Sequence, residues 1–101
     1  MMTEIETLQQ TLLENLAKVI DPETGTNVIR MRLVQDLTVT EGGDVHYIFR
    51  PSSFVCPIAL TLVMEIIEAV KATPGIRHQE VTVVDYAGAD ELNKILASLN
   101  L

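Results

Sequence analysis

The sequence predicts an α+β fold: a two-layer α/β sandwich with elements in the order α-β-β-α-β-α and a small mixed sheet. Apolar residues recur at helical spacing in three segments, and they alternate with polar residues in short segments between the helices. A pair of glycines marks an antiparallel hairpin of the first two strands. Because the third strand follows a helix, we expect a mixed sheet. The 101 residues are expected to form one domain.

The first helix is predicted from one apolar face near the start of the sequence. Thr3 followed by Glu6 is a capping-box pattern that marks where it begins. Pro22 predicts its end at Ile20 or Asp21, because the residue before a proline is disfavoured in the helical conformation. The apolar face consists of Ile5, Leu8, Leu12, Leu16 and Val19.

A turn, an extended segment and a hairpin are predicted next. Residues 21–25, Asp-Pro-Glu-Thr-Gly, form the turn, and residues 27–33 are interpreted as a short extended segment. Strands are predicted at 34–40 and 45–49, with the Glu-Gly-Gly-Asp turn at 41–44 between them. One face of the second strand carries Val45, Tyr47 and Phe49.

The central helix is predicted to run from Pro57, which suits the first helical position, to about Lys71. Its polar positions Thr61, Glu65 and Glu68 form a narrow stripe, so it has more apolar surface than packing on a sheet requires. Either the N-terminal helix covers its flank or a second subunit does, and both can hold. We favour the N-terminal helix.

A third strand and a final helix complete the predicted fold. Thr-Pro-Gly at 73–75 ends the central helix, and the strand follows at 79–84 with Val81 and Val83 on one face. The last helix is predicted over residues 89–100. Its apolar positions are Leu92, Ile95, Leu96 and Leu99.

The charge balance excludes two classes of partner. Seven Lys and Arg against fourteen Asp and Glu give a net charge of −7, which is unfavourable for binding nucleic acid or an anionic membrane surface. No signal peptide is recognisable at the N-terminus, and the apolar run at 55–67 is too short and polar to span a bilayer. A single cysteine fits a reducing compartment, so we expect a soluble cytoplasmic protein.

Cys56, directly before Pro57, is the strongest candidate for chemistry. At the start of a helix, a thiol is exposed to the positive end of the helix dipole, which favours the reactive and metal-binding thiolate. It could be a nucleophile, a redox centre or one metal ligand, or a small buried apolar residue. Since a metal ion needs three or four protein ligands, one cysteine per chain implies a site shared with carboxylates, a partner or a second subunit.

Four further polar residues are weaker candidates for a functional role. Asp21 and Glu23 are interpreted as turn residues, or alternatively as a carboxylate pair near the thiol that supplies ligands or accepts a partner's basic group. His46, on the strand face opposite Tyr47, and His78, in a predicted turn, are expected to be solvated or structural. No His-x-x-x-His or Cys-x-x-Cys spacing accompanies them.

Three segments resemble signatures of the small iron–sulfur cluster assembly accessory proteins, which include SUF-system accessory domains and PaaD-like proteins. Residues 21–29 with Leu33-Val34 resemble "DPE-x-G-x-N-I-V … L-V". Residues 52–57, Ser-Ser-Phe-Val-Cys-Pro, resemble "T-x-P-G-C-P", and residues 73–76 resemble "I-P-G-V". The resemblance spans residues 10–85.

This resemblance implies an α/β sandwich and a role in maturing or delivering iron–sulfur clusters. It implies Cys56 as the key residue and metal ligand, with Asp21 and Glu23 as the family's acidic pair and Ser52 where its threonine stands. The cargo would be a transient iron–sulfur cluster or iron, and the partners assembly or client proteins, with a homo-oligomer as a further possibility. The alternatives are an interaction or subunit-assembly module without metal chemistry, and a thiol enzyme with Cys56 as nucleophile.

The sequence departs from the family pattern at several positions. Arg30 and Arg32 replace an Asp and a Gly, Val55 replaces the Gly before the cysteine, and a C-terminal Pro-Pro-Trp is absent. We expect the two arginines to be solvated, or alternatively to form a local basic contact on an acidic protein. Val does not readily adopt the positive φ that Gly tolerates, so the loop before Cys56 is expected to differ in shape.

Overall fold

The computed structural model describes residues 4–99 and 101, within which three helices and one three-stranded sheet form. The helices are α1 (Glu4–Leu16), α2 (Ala59–Lys71) and α3 (Ala89–Ser98). The strands are β1 (Val34–Val39), β2 (Asp44–Phe49) and β3 (His78–Val83). The order of elements is the predicted α-β-β-α-β-α, and the two-layer α/β class is confirmed. Within the described ranges, no helix has the length and apolarity needed to cross a membrane.

The sheet has the strand order β1-β2-β3 and is mixed, as predicted. β1 is antiparallel to β2, and β3 returns through α2 to run parallel to β2. A bulge shifts the register of β1 between Gln35 and Thr38, where Asp36 has a φ of 50°.

The hairpin between β1 and β2 depends on Gly43. Its φ is 85°, and a side chain at this position would collide with the carbonyl oxygen of Gly75. The Gly43 N–H donates to the Thr40 carbonyl at 3.1 Å, and the Gly43 carbonyl accepts from the Arg77 N–H at 2.9 Å. The same glycine therefore closes the hairpin and fixes the start of β3.

One face of the sheet packs on α2 and forms the core. The residues predicted to share one face of β2 are buried, and so are Val81 and Val83 of β3. α1 packs along α2 and buries Leu12 and Leu16 completely, so the N-terminal helix covers a flank of α2, as favoured above. Burial of side chains of this size contributes about 1.5–3 kcal/mol each. The apolar residues that α2 contributes are Ala59, Leu62, Val63, Ile66, Ile67 and Val70.

α3 lies against β3 and covers part of the sheet edge. The Asn93 side chain accepts a hydrogen bond from the Val83 N–H at 2.8 Å and donates to the Val83 carbonyl at 3.0 Å. These bonds satisfy backbone groups that an edge strand would otherwise leave open. Leu92 and Leu96 are buried, whereas the predicted apolar positions Ile95 and Leu99 are exposed.

α1 is shorter than predicted: it ends at Leu16, not at Ile20 or Asp21. The Val28 N–H donates to the Val19 carbonyl at 3.0 Å, and Ile20 forms a bridge with Asn27. This pairing requires non-helical backbone at residues 19–20, and Pro22 alone did not reveal it. The predicted cap residue Thr3 lies outside the described residues.

The extended segment predicted at 27–33 is wrong. Its centre forms successive turns, with the Met31 N–H donating to the Asn27 carbonyl at 3.1 Å. The Asn27 side chain also accepts from the Arg30 N–H at 2.8 Å, a local bond that competes with extended structure. Arg32 ends the segment with a φ of 59°, at the position where the family signature has glycine.

Other predicted boundaries differ by one or two residues. α2 begins at Ala59, so Pro57 precedes the helix and does not open it. β3 begins at His78, which was expected in a turn. α3 ends at Ser98, while the predicted last residue, Asn100, lies outside the described part of the chain.

Candidate functional site

The loop that joins β2 to α2, residues 50–58, carries Cys56. The Arg50 N–H donates to the Leu33 carbonyl at 2.8 Å, and the Cys56 N–H donates to the Ser53 carbonyl at 3.2 Å. The Phe54 carbonyl accepts from the Ala87 N–H at 2.7 Å. The loop is therefore held against both the segment before β1 and the segment after β3.

The thiol of Cys56 is buried. The residue is 1% exposed and belongs to the hydrophobic core, three positions before the first residue of α2. The two residues before it are exposed to solvent: Phe54 is 64% and Val55 is 72% exposed. Val55 does not have a positive φ. The sulfur thus lies beneath an apolar, solvent-facing loop.

Asp21 is also buried and holds the turn at 21–25. Its Oδ1 accepts from the Glu23 N–H at 2.8 Å, and its carbonyl accepts from the Gly25 N–H at 2.8 Å. Its Oδ2 is buried, with no hydrogen-bond partner among the described residues. A buried oxygen without a partner carries a desolvation cost of about 1–3 kcal/mol. Asp21 is therefore a turn residue, as the simpler interpretation held, with one carboxylate oxygen that the turn does not use.

Among the described residues, hydrogen bonds do not link the predicted site residues Cys56 and Asp21, and two others, Glu23 and Ser52, lie at the surface. Over residues 4–99 and 101, no group of three or more His, Cys, Asp or Glu side chains is placed to hold a metal ion. An iron–sulfur cluster is usually held by four cysteine ligands. The described residues of one chain therefore do not form a complete cluster site.

The two histidines have surface interactions. His46 Nδ1 lies 3.5 Å from Glu80 Oε2, and both side chains are exposed. His78 Nδ1 lies 3.2 Å from the carbonyl oxygen of Leu101. These contacts agree with the solvated or structural role expected from the sequence.

A polar cleft of about 550 Å³ adjoins the Cys56 loop, and sequence reasoning did not find it. Its lining includes Arg32, Arg50, Ser52, Phe54 and Asp85. Arg50 Nε donates to Asp85 Oδ2 at 3.1 Å across the cleft. These residues come from three separate segments, so their approach depends on the fold of the whole sheet.

The fold and the loop define a class: small α+β proteins with a lone cysteine in the loop before the central helix. The family model described as "Iron-sulfur cluster assembly protein" matches residues 9–83. The chain belongs to this family, and the resemblance noted in the sequence is confirmed. Family and relatives point to an accessory role in assembling or maturing iron–sulfur clusters.

Three similar proteins illustrate the relationship. The Fe-S protein maturation auxiliary factor YitW of Bacillus subtilis is 32% identical over 79 residues, which cover 78% of each chain. A chloroplastic Fe-S cluster assembly factor of Arabidopsis thaliana is 28% identical over 79 residues, 77% of this chain and 15% of that protein. The crystal structure of a domain of unknown function from Bacillus anthracis has a TM-score of 0.71 at 27% identity and covers 93% of this chain and 94% of that one.

Proposed function

We propose that this protein is a non-enzymatic accessory factor that assists the assembly of iron–sulfur clusters or their transfer to client proteins. The observation that carries the proposal is the family match over residues 9–83, which includes the loop with the only cysteine. Cys56 acts as a sulfur ligand to the cargo or as a contact for the partner. The cluster, or iron, is cargo and not a resident cofactor.

The donor set requires further ligands from outside the chain. Because one chain supplies a single thiolate, the remaining ligands come from an assembly protein, a client or a second copy of this chain. A homo-oligomer, a cytoplasmic location and membership of the PaaD-like group remain predictions from the sequence.

Use of Cys56 requires the loop above it to move. Phe54 and Val55 have apolar side chains in solvent, and a partner that covers them gains the free energy of burying this surface. That gain offsets the loss of the few backbone bonds that hold the loop, such as the bond between Ala87 and Phe54. In this proposal Asp21 supports the site through the turn at 21–25, with Glu23 and Ser52 at the surface.

The test is activation of an apo [4Fe–4S] client enzyme by a cluster donor, with and without this protein. We expect the wild-type protein to accelerate activation, and Cys56→Ser and Cys56→Ala to return the rate to that of the donor alone. Cys56→Ala avoids burying a hydroxyl, and Ser98→Ala, at an exposed position of α3, is the control. Circular dichroism melting must show that the variants are folded.

Two outcomes contradict separate parts of the proposal. Equal activity of wild type and both cysteine variants would contradict the role of Cys56 but not the accessory function. Absence of any effect of the wild-type protein removes the accessory function itself.

A second candidate function is an interaction module without metal chemistry. It is favoured by Leu60, which is 52% exposed in the first turn of α2, and by the exposed Phe54 and Val55. Native mass spectrometry or light scattering that finds only monomer would remove the argument for self-association from the apolar surface of α2.

A further inference from the structure

We propose that the cleft between Arg32 and Arg50 binds a carboxylate-bearing segment of the protein partner and holds that partner against the Cys56 loop. This inference rests on the proposed function and names the chemistry by which the partner is recognised. The occupant is an acidic peptide segment with an apolar side chain beside its carboxylate.

The charges of the cleft favour an anion. The chain has seven Lys and Arg against fourteen Asp and Glu, yet two arginines line this cleft with Asp85 as its one lining acid. Asp85 pairs with Arg50 Nε, and within the described residues no ion pair forms to Arg32. A guanidinium has five N–H donors, so Arg50 also keeps donors for a second acceptor. The local charge of the lining is therefore +1 on a protein whose net charge is −7.

Hydrogen bonds fix the backbone from which these side chains extend before a partner arrives. Arg32 follows a series of turns and has a φ of 59°, and its carbonyl accepts from Gln35 Nε2 at 2.9 Å. The Arg50 N–H donates to the Leu33 carbonyl at 2.8 Å, which joins the end of β2 to the residue after Arg32. Asp85, two residues after the end of β3, has a φ of 51°. The backbones that carry the two guanidinium groups are thus hydrogen-bonded to each other's segment, which lowers the conformational cost of binding.

The composition of the lining favours a peptide over a small inorganic anion. Ser52 and Ser53 supply hydroxyl groups, while Phe54 supplies an apolar edge that is 64% exposed. A planar carboxylate matches the paired donors of a guanidinium, and an apolar neighbour in the peptide would cover the Phe54 ring. Inorganic phosphate could use the arginines but not the ring.

The position of the cleft explains why binding there would serve transfer. Ser52, Ser53 and Phe54 line the cleft and lie two to four residues before Cys56 in the same loop. A partner held at the arginines therefore contacts the segment that must move to uncover the thiol. One of the two arginines, Arg32, is a departure from the family signature, so the site would give this chain its own choice of partner.

The test measures binding of a fluorescein-labelled peptide, Gly-Ser-Glu-Leu-Glu-Ser-Gly, by anisotropy at low salt. Arg32→Glu and Arg50→Glu are the test variants, and Lys94→Glu, the same charge change on exposed α3, is the control. We expect each arginine variant to weaken binding about fivefold or more and Lys94→Glu to change it by less than about twofold. Arg32→Gln is included because it removes the charge without adding a second acid to the lining of the cleft.

Several results would overturn the inference. These are no binding of the peptide to the wild-type protein, equal loss of affinity in Lys94→Glu, or equal binding of a peptide with Gln in place of Glu. Phosphate that displaces the peptide as effectively as free peptide does would assign the cleft to small anions instead. The client-activation assay separates the two proposals. If wild type accelerates activation and Arg32→Glu accelerates it equally, the accessory function stands and the proposed role of the cleft is wrong.

Discussion

The hydroxyl of Tyr47 donates a 2.7 Å hydrogen bond to Oε1 of Gln79, and both side chains are buried between the sheet and α2. Nε2 of Gln79 in turn donates to the Ile67 carbonyl at 3.1 Å. Three elements, β2, β3 and α2, are thus joined by one short series of polar contacts. Because each of these buried atoms has a partner, the core tolerates them, and removing one partner leaves another atom unsatisfied.

The first prediction concerns this bond. Tyr47→Phe keeps the ring but leaves Gln79 Oε1 without its donor, so we expect a loss of about 1–3 kcal/mol in the free energy of unfolding. Urea denaturation measures it. The double variant Tyr47→Phe/Gln79→Leu removes both polar groups of the pair. It therefore tests whether the loss in Tyr47→Phe comes from the unsatisfied Gln79 Oε1. If the single variant loses nothing, the hydrogen bond does not contribute to stability.

The second prediction concerns alkaline pH. Burial raises the pKa of Tyr47 above the ordinary tyrosine value of 10.0. Above pH 10 the unfolded chain releases this proton while the folded chain keeps it, so stability falls as the pH rises. The slope contributed by this group approaches about 1.4 kcal/mol per pH unit. Melting curves between pH 8 and 11 should show a smaller alkaline loss for Tyr47→Phe than for wild type, and equal losses would contradict the assignment.

The third prediction separates the two carboxylates of the turn. Asp21→Ala removes the acceptor of the Glu23 N–H, a loss of about 1–3 kcal/mol that removal of the unpartnered Oδ2 partly offsets. Its net cost should still exceed that of Glu23→Ala, which is at an exposed position and should cost less than about 0.5 kcal/mol. Asp21→Asn keeps one acceptor oxygen and removes the charge, so its cost should be smaller than that of Asp21→Ala.

The same variants also report on function in the client-activation assay. If Asp21 acts only through the turn, Asp21→Asn supports activation as well as wild type does. A folded Asp21→Asn protein that has lost activity would show that the carboxylate charge itself is used.

The fourth prediction compares adjacent glycines. Gly43→Ala forces a side chain into a position with φ of 85° and against the Gly75 carbonyl, so we expect at least about 2 kcal/mol of destabilisation. Gly42→Ala is the matched control, because its φ is not positive and the nearest atom to an added Cβ is 3.7 Å away. Similar melting temperatures for the two variants would contradict this account of the hairpin.

Local patterns predicted the order of the elements well. Alternation along 45–49 correctly placed Val45, Tyr47 and Phe49 on one face of β2, which the fold buries, because side chains of a strand alternate between its two faces. The Gly-Gly turn could also be predicted from local residues, because glycine tolerates the positive φ that Gly43 adopts. Helix periodicity located α2 and α3, including the end of α2 at Lys71 and the start of α3 at Ala89, but not the start of α2.

The errors arose where individual hydrogen bonds, and not the spacing of apolar residues, decide the backbone. α1 ends early because Ile20 pairs with Asn27, and the segment after it turns because the Asn27 side chain bonds to Arg30. Neither interaction has a spacing that periodicity can detect. The expected helix start at Pro57 failed because the chain makes one further turn before α2.

The sequence by itself determined the fold class, the family and the segment that carries the only cysteine, since these follow from residue types at short, fixed spacings. Tertiary structure alone decided that the Cys56 thiol is buried beneath exposed Phe54 and Val55, and that Arg32, Arg50 and Asp85 meet in one cleft. Burial and convergence depend on how α2, the sheet and the loops pack together. That packing joins residues far apart in the chain, and no local pattern encodes it.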